Sequence, residues 1–217
     1  LVSTRPRLGA AGSLHAPARR ISQMREQLSL PEARRVAVAA LVGTAMEWYD
    51  YYLFGLAAAL VFNRLFFTEL DPWAASLAAF ATFGIGFVAR PLGAVIFGSL
   101  GDRIGRKPTL ILSVVLIGIA TALIGVLPDF FAIGIAAPIL LVVLRLVQGV
   151  AVGGEWSGAM TIAIEHAPKE HRNRLAALVQ LSSPVATLLS SGAFTIVLLL
   201  PPASFDAWGW RVPFLLA

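Results

Sequence analysis

Residues 108–128 contain no charged side chain, and residues 74–97 before them contain only Arg90. A helix needs about 20 predominantly apolar residues to cross the hydrocarbon core of a bilayer, and both stretches reach that length. Between them, residues 98–107 gather Asp102, Arg103, Arg106 and Lys107 with Gly98, Gly101 and Gly105. Such a cluster between two spans reads as a short loop at a membrane surface. These features leave few folds open, because a chain in lipid must satisfy its backbone internally, as helices or as a closed barrel.

The rest of the chain extends the pattern. Apolar segments are expected over residues 36–62, 73–100, 108–127, 135–164 and 175–200, with a sixth from 210 that is incomplete at 217. Hydrophobic residues are 58% of the chain and charged residues 13%, against about 45–50% and about 25% in soluble domains. A soluble chain of 217 residues could not hide that much apolar surface. No alternating pattern of a membrane barrel is present. The expected fold is all-α, a polytopic up-and-down helix bundle over residues 34–217. Residues 1–33 are polar, proline-dotted and arginine-rich. They lack the short apolar core and cleavage site of a secretory signal, and read as a mostly disordered cytoplasmic tail with room for an amphipathic helix near 18–30. Because the sequence stops inside the apolar run 212–217, it reads as a fragment or as a product cut short.

Basic residues set the orientation. Arginines 5, 7, 19, 20, 25, 34 and 35, then Arg103, Arg106 and Lys107, then Lys169, Arg172 and Arg174, place thirteen on one side of the spans. The opposite gaps hold two, Arg64 and Arg211. This puts the N-terminus in the cytoplasm. It also means that the net charge of +5 follows topology and is not a nucleic-acid signal. Trp73, Trp208 and Trp210 flank spans where interfacial aromatic belts form. The chain has no cysteine, which excludes disulfides and thiolate metal sites. No zinc-peptidase, nucleophile-elbow or phosphate-loop motif occurs, so nothing points to an enzyme, a metal, a cofactor or an ATP-driven pump.

Five ionisable residues lie inside the expected spans: Glu47, Asp50, Arg90, Arg145 and Glu155. Each costs about 2.5–3.5 kcal/mol near a helix centre on insertion scales, so they should face the bundle interior or a wet cavity. Glu47 and Asp50 are three apart and share a helix face. At 1.5 Å per residue, Glu47 and Arg90 lie at matching depths from the cytoplasmic surface. Arg90 can therefore pair with Glu47 or Asp50 across adjacent helices. Pro91 is expected to kink the second span. The pair reads either as a proton-coupling, substrate-orienting network or as a permanent ion pair that locks two helices. Gly149 with Gly153 and Gly154 with Gly158 have the four-residue spacing of close helix packing. Ser183, Thr187, Ser191 and Thr195 repeat every four residues, with Gln180 on the same side. That polar face either lines a substrate passage or hydrogen-bonds a neighbouring helix, and Pro184 is expected to bend its helix. His166 and His171 read as solvated residues of a cytoplasmic loop.

The glycine-and-charge loop 98–107, with its G-x-x-x-D-R-x-G-R-K spacing, resembles the signature loop between the second and third helices of the major facilitator superfamily. Glu47-Trp48-Tyr49-Asp50, Arg90-Pro91-Leu92-Gly93, Arg145-Leu146-Val147-Gln148-Gly149, Gly153-Gly154-Glu155-Trp156 and Trp208-Gly209-Trp210-Arg211 narrow the resemblance. They point to the superfamily's metabolite:proton symporters, among them α-ketoglutarate, shikimate, citrate and proline/betaine carriers. The resemblance implies two six-helix halves around a central cavity, of which this chain is the N-terminal one with its sixth helix truncated. It also implies that Asp102, supported by Arg103, Arg106 and Glu165, latches one conformation by capping a helix of the missing half. Glu47, Asp50, Arg90, Arg145, Gln148 and Glu155 become the coupling and binding set. Ser183, Thr187 and Ser191 become possible cavity-lining residues. The expectation is an inner-membrane secondary transporter that moves a small polar metabolite, an organic acid or a betaine-like zwitterion, together with a proton. Uniport, drug/proton antiport and a non-transporting scaffold or inactive fragment remain the alternatives.

Overall fold

The computed structural model of the chain describes residues 30–153 and 170–217. Every regular element among them is helical. The long helices are α1 (Leu30–Ala57), α2 (Pro72–Ile104), α3 (Arg106–Val126), α4 (Ala136–Gly153), α5 (Arg172–Gln180) and α6 (Ser182–Val197). A short α7 (Val212–Leu215) follows a single 3₁₀ turn at Gly209–Arg211. Among the described residues, four helical stretches are long and apolar enough to cross a membrane: Pro72–Ile104, Pro108–Val126, Ala136–Gly153 and Asn173–Val197. α1 is long enough too, but it carries the polar run from Glu47 to Tyr52 in its C-terminal half.

Local chemistry sets the boundaries. Asp71 caps α2 by accepting from the Trp73 and Ala74 amides, both at 3.1 Å, and Pro72 fits the first turn, where no amide partner is needed. α2 then runs through most of the expected loop 98–107 and stops at Gly105. Gly105 has φ +96°, and its amide donates to the Gly101 carbonyl at 3.0 Å. The link to α3 is thus a one-residue turn instead of a ten-residue loop, because glycine adopts that left-handed conformation without a Cβ clash. α3 ends before Pro128, where Leu127 is extended. α1 starts at Leu30, inside the stretch read as tail; the rest of that stretch lies outside the described residues. The fifth span starts at Arg172 and is interrupted at Leu181, three residues before Pro184, whose ring disturbs the preceding turn. Pro91 lies inside α2, and the helix continues through it.

Two packings hold the bundle. α2 and α4 cross at backbone contact: a Cβ on Gly93 would fall on the Val150 carbonyl, one on Gly149 on the Gly86 carbonyl, and one on Gly153 on the Arg90 carbonyl. Small residues allow this approach. Gly154 and Gly158 lie outside the described residues. On the other side, α1 packs against α5 and α6, with Ala33, Ala37 and Ala40 meeting Leu175 and Val179.

The main core lies toward the end opposite Gly105. There Phe54, Phe62, Phe66, Trp210 and Phe214 interlock with ring centroids 5.0–6.1 Å apart. Edge-on contacts of this kind add to burial. Trp210 is therefore wholly buried, not part of an interfacial belt, whereas Trp73 and Trp208 are exposed as such a belt requires. Arg211 donates to the Leu127 and Gly125 carbonyls and so satisfies the end of α3. Val88, Val95, Ile119, Leu188 and Ile196 point outward, the arrangement expected of a face that meets lipid.

Candidate functional site

The buried charges of α1, α2 and α4 converge. Asp50 and Arg145 are each 5% exposed, and Arg145 Nη1 lies 3.5 Å from Asp50 Oδ2. Gln148, one turn beyond Arg145 on α4, completes the arrangement. Its Oε1 accepts from Arg145 Nη1 at 3.1 Å. Its Nε2 donates to Asp50 Oδ1 and Oδ2 at 3.0 and 3.2 Å and to Thr121 Oγ1 at 2.8 Å. Thr121, from α3, donates to Asp50 Oδ1 at 2.6 Å. Both carboxylate oxygens are therefore served, which is what a buried charge requires. The Arg145 guanidinium lies 4.3 Å from the Phe54 ring centroid and 5.2 Å from that of Phe83, within cation–π range. Its Nε is buried without a partner among the described residues.

A second pair lies beside the first. Arg90 Nη2 is 3.7 Å from Glu47 Oε1, longer than a hydrogen bond, and the Arg90 guanidinium lies 4.7 Å from the Phe87 ring centroid. The side chains are 30% and 14% exposed. Both pairs open on one small recess, lined by Glu47, Asp50, Tyr51, Gly86, Arg90, Arg145, Gln148, Gly149 and Val152. An arrangement of two acids and two bases around a partly open recess can take up and release a proton, and can offer a cation to an anionic ligand.

The structure thus joins five of the expected residues: Glu47, Asp50, Arg90, Arg145 and Gln148. Of the two partners open to Arg90, it takes Glu47, because Arg145 and Gln148 occupy Asp50. The two helices bearing Glu47 and Arg90 also meet through rings, Tyr51 against Phe83 and Phe87 and Phe54 against Phe83, with centroids 4.9–6.1 Å apart. Glu155 and Glu165 lie outside the described residues. Asp102 and Arg103 are exposed at the end of α2, away from the recess, and Arg106 and Lys107 open α3.

Ser183, Thr187 and Ser191 do not line the recess. Ser183 hydrogen-bonds Tyr52 of α1 at 3.0 Å, so of the two readings the helix–helix bond holds there. Thr187 donates to the Ser183 carbonyl and Ser191 to the Thr187 carbonyl, the back-bonding usual for hydroxyls in a helix. Sequence reasoning missed Thr121, Tyr51 and the aromatic seats Phe54, Phe83 and Phe87. Thr121 had a signal: with Thr109 and Ser113 it makes a hydroxyl stripe at spacings of four and eight along an uncharged span.

The sequence pattern of the "Sugar (and other) transporter" family matches residues 36–217. The shikimate transporter of Escherichia coli (strain K12) is 53% identical over 189 residues, covering 87% of this chain and 43% of that protein. The inner membrane metabolite transport protein YhjE of the same strain is 43% identical over 203 residues, 93% of this chain and 46% of that one. That strain's proline/betaine transporter is 38% identical over 185 residues, 85% and 37% respectively. Among solved structures, the partially occluded inward-open xylose transporter XylE from E. coli superposes with a TM-score of 0.68 at 18% identity, over 83% of this chain and 45% of that one. The chain spans less than half the length of each of these proteins.

Proposed function

The chain belongs to the sugar (and other) transporter family, a family of membrane carriers and not of enzymes, and from that premise we propose that it forms one half of a proton-coupled symporter for a small polar metabolite. The observation that carries this reading is the pairing of Glu47 with Arg90 and Asp50 with Arg145 around one recess. Acids paired with bases inside a bundle whose outer faces are apolar are costly to bury, and such residues mark substrate and proton pathways.

In the proposed cycle a second helical half closes the recess into a central cavity, and rocking of the halves exposes it to each side in turn. A proton taken up by Asp50 or Glu47 frees Arg145 or Arg90 to receive a carboxylate. Arg145 suits that task because its Nε has no partner among the described residues. The transmembrane potential supplies about 2.3 kcal/mol per charge per 100 mV. The relatives whose names specify shikimate and proline/betaine support an organic acid or a zwitterion as cargo. The basic-residue count and the name of the inner-membrane relative support a bacterial inner membrane with the N-terminus in the cytoplasm. Asp102, Arg103, Arg106 and Lys107, at the turn set by Gly105, together with Glu165, are proposed to dock on the second half.

The test is uptake of labelled organic acids and betaines under an imposed pH gradient, in the transporter that pairs this half with its second. Wild type should accumulate one of them above equilibrium. Glu47→Gln and Arg90→Ala should insert normally and lose accumulation. Full accumulation in both variants overturns the coupling role, and uptake that ignores the pH gradient points to uniport.

A further inference from the structure

Thr121 is 1% exposed and is the contribution of α3 to the buried network. Its hydroxyl faces two acceptors: Asp50 Oδ1 at 2.6 Å and the Ile117 carbonyl, one turn back on its own helix, at 2.9 Å. It also accepts from Gln148 Nε2 at 2.8 Å. A hydroxyl has one proton and two lone pairs, so it serves one of the two acceptors at a time. Thr109 and Ser113, buried on the same helix, have no such choice; they donate to the Gly105 and Leu110 carbonyls and reach no charged group among the described residues.

We infer that Thr121 is the positioning residue that lets Asp50 hold and release a proton while both of its carboxyl oxygens stay hydrogen-bonded. The inference rests on reading Asp50 as a coupling carboxylate. With Asp50 ionised, the Thr121 O–H points at Oδ1. When a proton from water in the recess binds Oδ1, that oxygen becomes a donor. The Thr121 O–H then turns to the Ile117 carbonyl, and Oγ1 accepts from both Asp50 and Gln148 with its two lone pairs. Thr121 keeps its own proton throughout; on release, the Asp50 proton returns to the recess water. Oδ2 still accepts from Gln148, but the neutral acid no longer holds Arg145, which is the coupling step. The other groups around Asp50 are Glu47, Tyr49 and Tyr51 on its own helix, Arg145 on α4 and Arg90 on α2. None of them replaces the hydroxyl, because Thr121 and Gln148 are the side chains that hydrogen-bond Asp50 among the described residues.

The test is an infrared titration of the reconstituted whole transporter, with pH as the only variable and no cargo added. The carboxylic C=O band that disappears in Asp50→Asn reports the protonated acid. In Thr121→Val, a near-isostere without the hydroxyl, that band should move to higher frequency. Its pH of half-amplitude should shift by roughly half a unit or more, since a charge-assisted bond and a neutral one are not of equal strength. Thr121→Ser should track wild type, and Thr121→Ala gives the same readout as valine should valine not fold. An unchanged band and midpoint in the variants lacking the hydroxyl, or a serine variant that shifts as far as valine, overturns the role of Thr121 alone. If Asp50→Asn removes no band at any pH, Asp50 does not carry the proton, and the coupling assignment fails with the inference.

Discussion

Glu47 and Asp50 sit three residues apart on one helix, carry the same chemistry and face arginines from neighbouring helices, yet their surroundings differ in kind. Around Asp50, α4 supplies a guanidinium and an amide and α3 a hydroxyl, and the resulting network is buried. Around Glu47 there is Arg90 at 3.7 Å, partly open to the recess and braced by one ring. A buried charge with every partner in place is a fixture: it ties α1, α3 and α4 together and answers only to a change in its own protonation. A loosely held pair at the mouth can be opened by water or by an incoming ion. The pairing of two such sites suggests a division of labour, with entry at Glu47–Arg90 and commitment at Asp50–Arg145.

Breaking the inner pair should have the largest effect. Arg145→Met leaves the Asp50 charge buried without its base, a loss of about 3–5 kcal/mol for a buried pair broken on one side. Yield and melting temperature in detergent should fall sharply. Adding Asp50→Asn to it should restore folding but not coupled uptake, and a double variant as unstable as the single one would show that Arg145 matters for packing alone. Next comes the outer pair. Glu47→Gln should lower the melting temperature less than Arg145→Met does, because the pair is longer and partly open, while gradient-driven accumulation drops at least about tenfold, the equivalent of about 1.4 kcal/mol. If its melting temperature falls as far as that of Arg145→Met, the contrast between the two sites is wrong.

Finer changes sharpen the same contrast. Arg90→Lys keeps the charge but loses the flat guanidinium over Phe87. It should raise the KM for an anionic cargo severalfold and leave the coupling ratio intact, measured as protons moved per cargo. Gly86→Ala places a methyl 2.7 Å from Arg145 Nε. It should disturb the inner pair slightly, seen as a melting temperature a few degrees lower, with Glu47-dependent accumulation unchanged.

Much of this was legible along the chain. Stretches without charge marked the spans, and Glu47, Asp50, Arg90 and Arg145 stood out because charge in lipid is costly. Other features were hidden for physical reasons. Gly105 ends α2, but a glycine flanked by charges looks the same at the tip of a loop as at a helix stop. The hydroxyls of the fifth span were conspicuous by their regularity, yet they mostly bond their own backbone. Thr121, the last of three hydroxyls along an uncharged span, reaches the carboxylate.

The sequence by itself determined that this chain lives in a bilayer as helices and how deep each charge lies along its span. Those properties follow from transfer costs and helical rise, which each segment carries independently of its neighbours. Which acid meets which base was decided by the tertiary structure. Depth is a coordinate along one helix, whereas pairing depends on how neighbouring helices are rotated and spaced. Here the glycine contact between α2 and α4 brings Arg145 and Arg90 to opposite sides of a single recess.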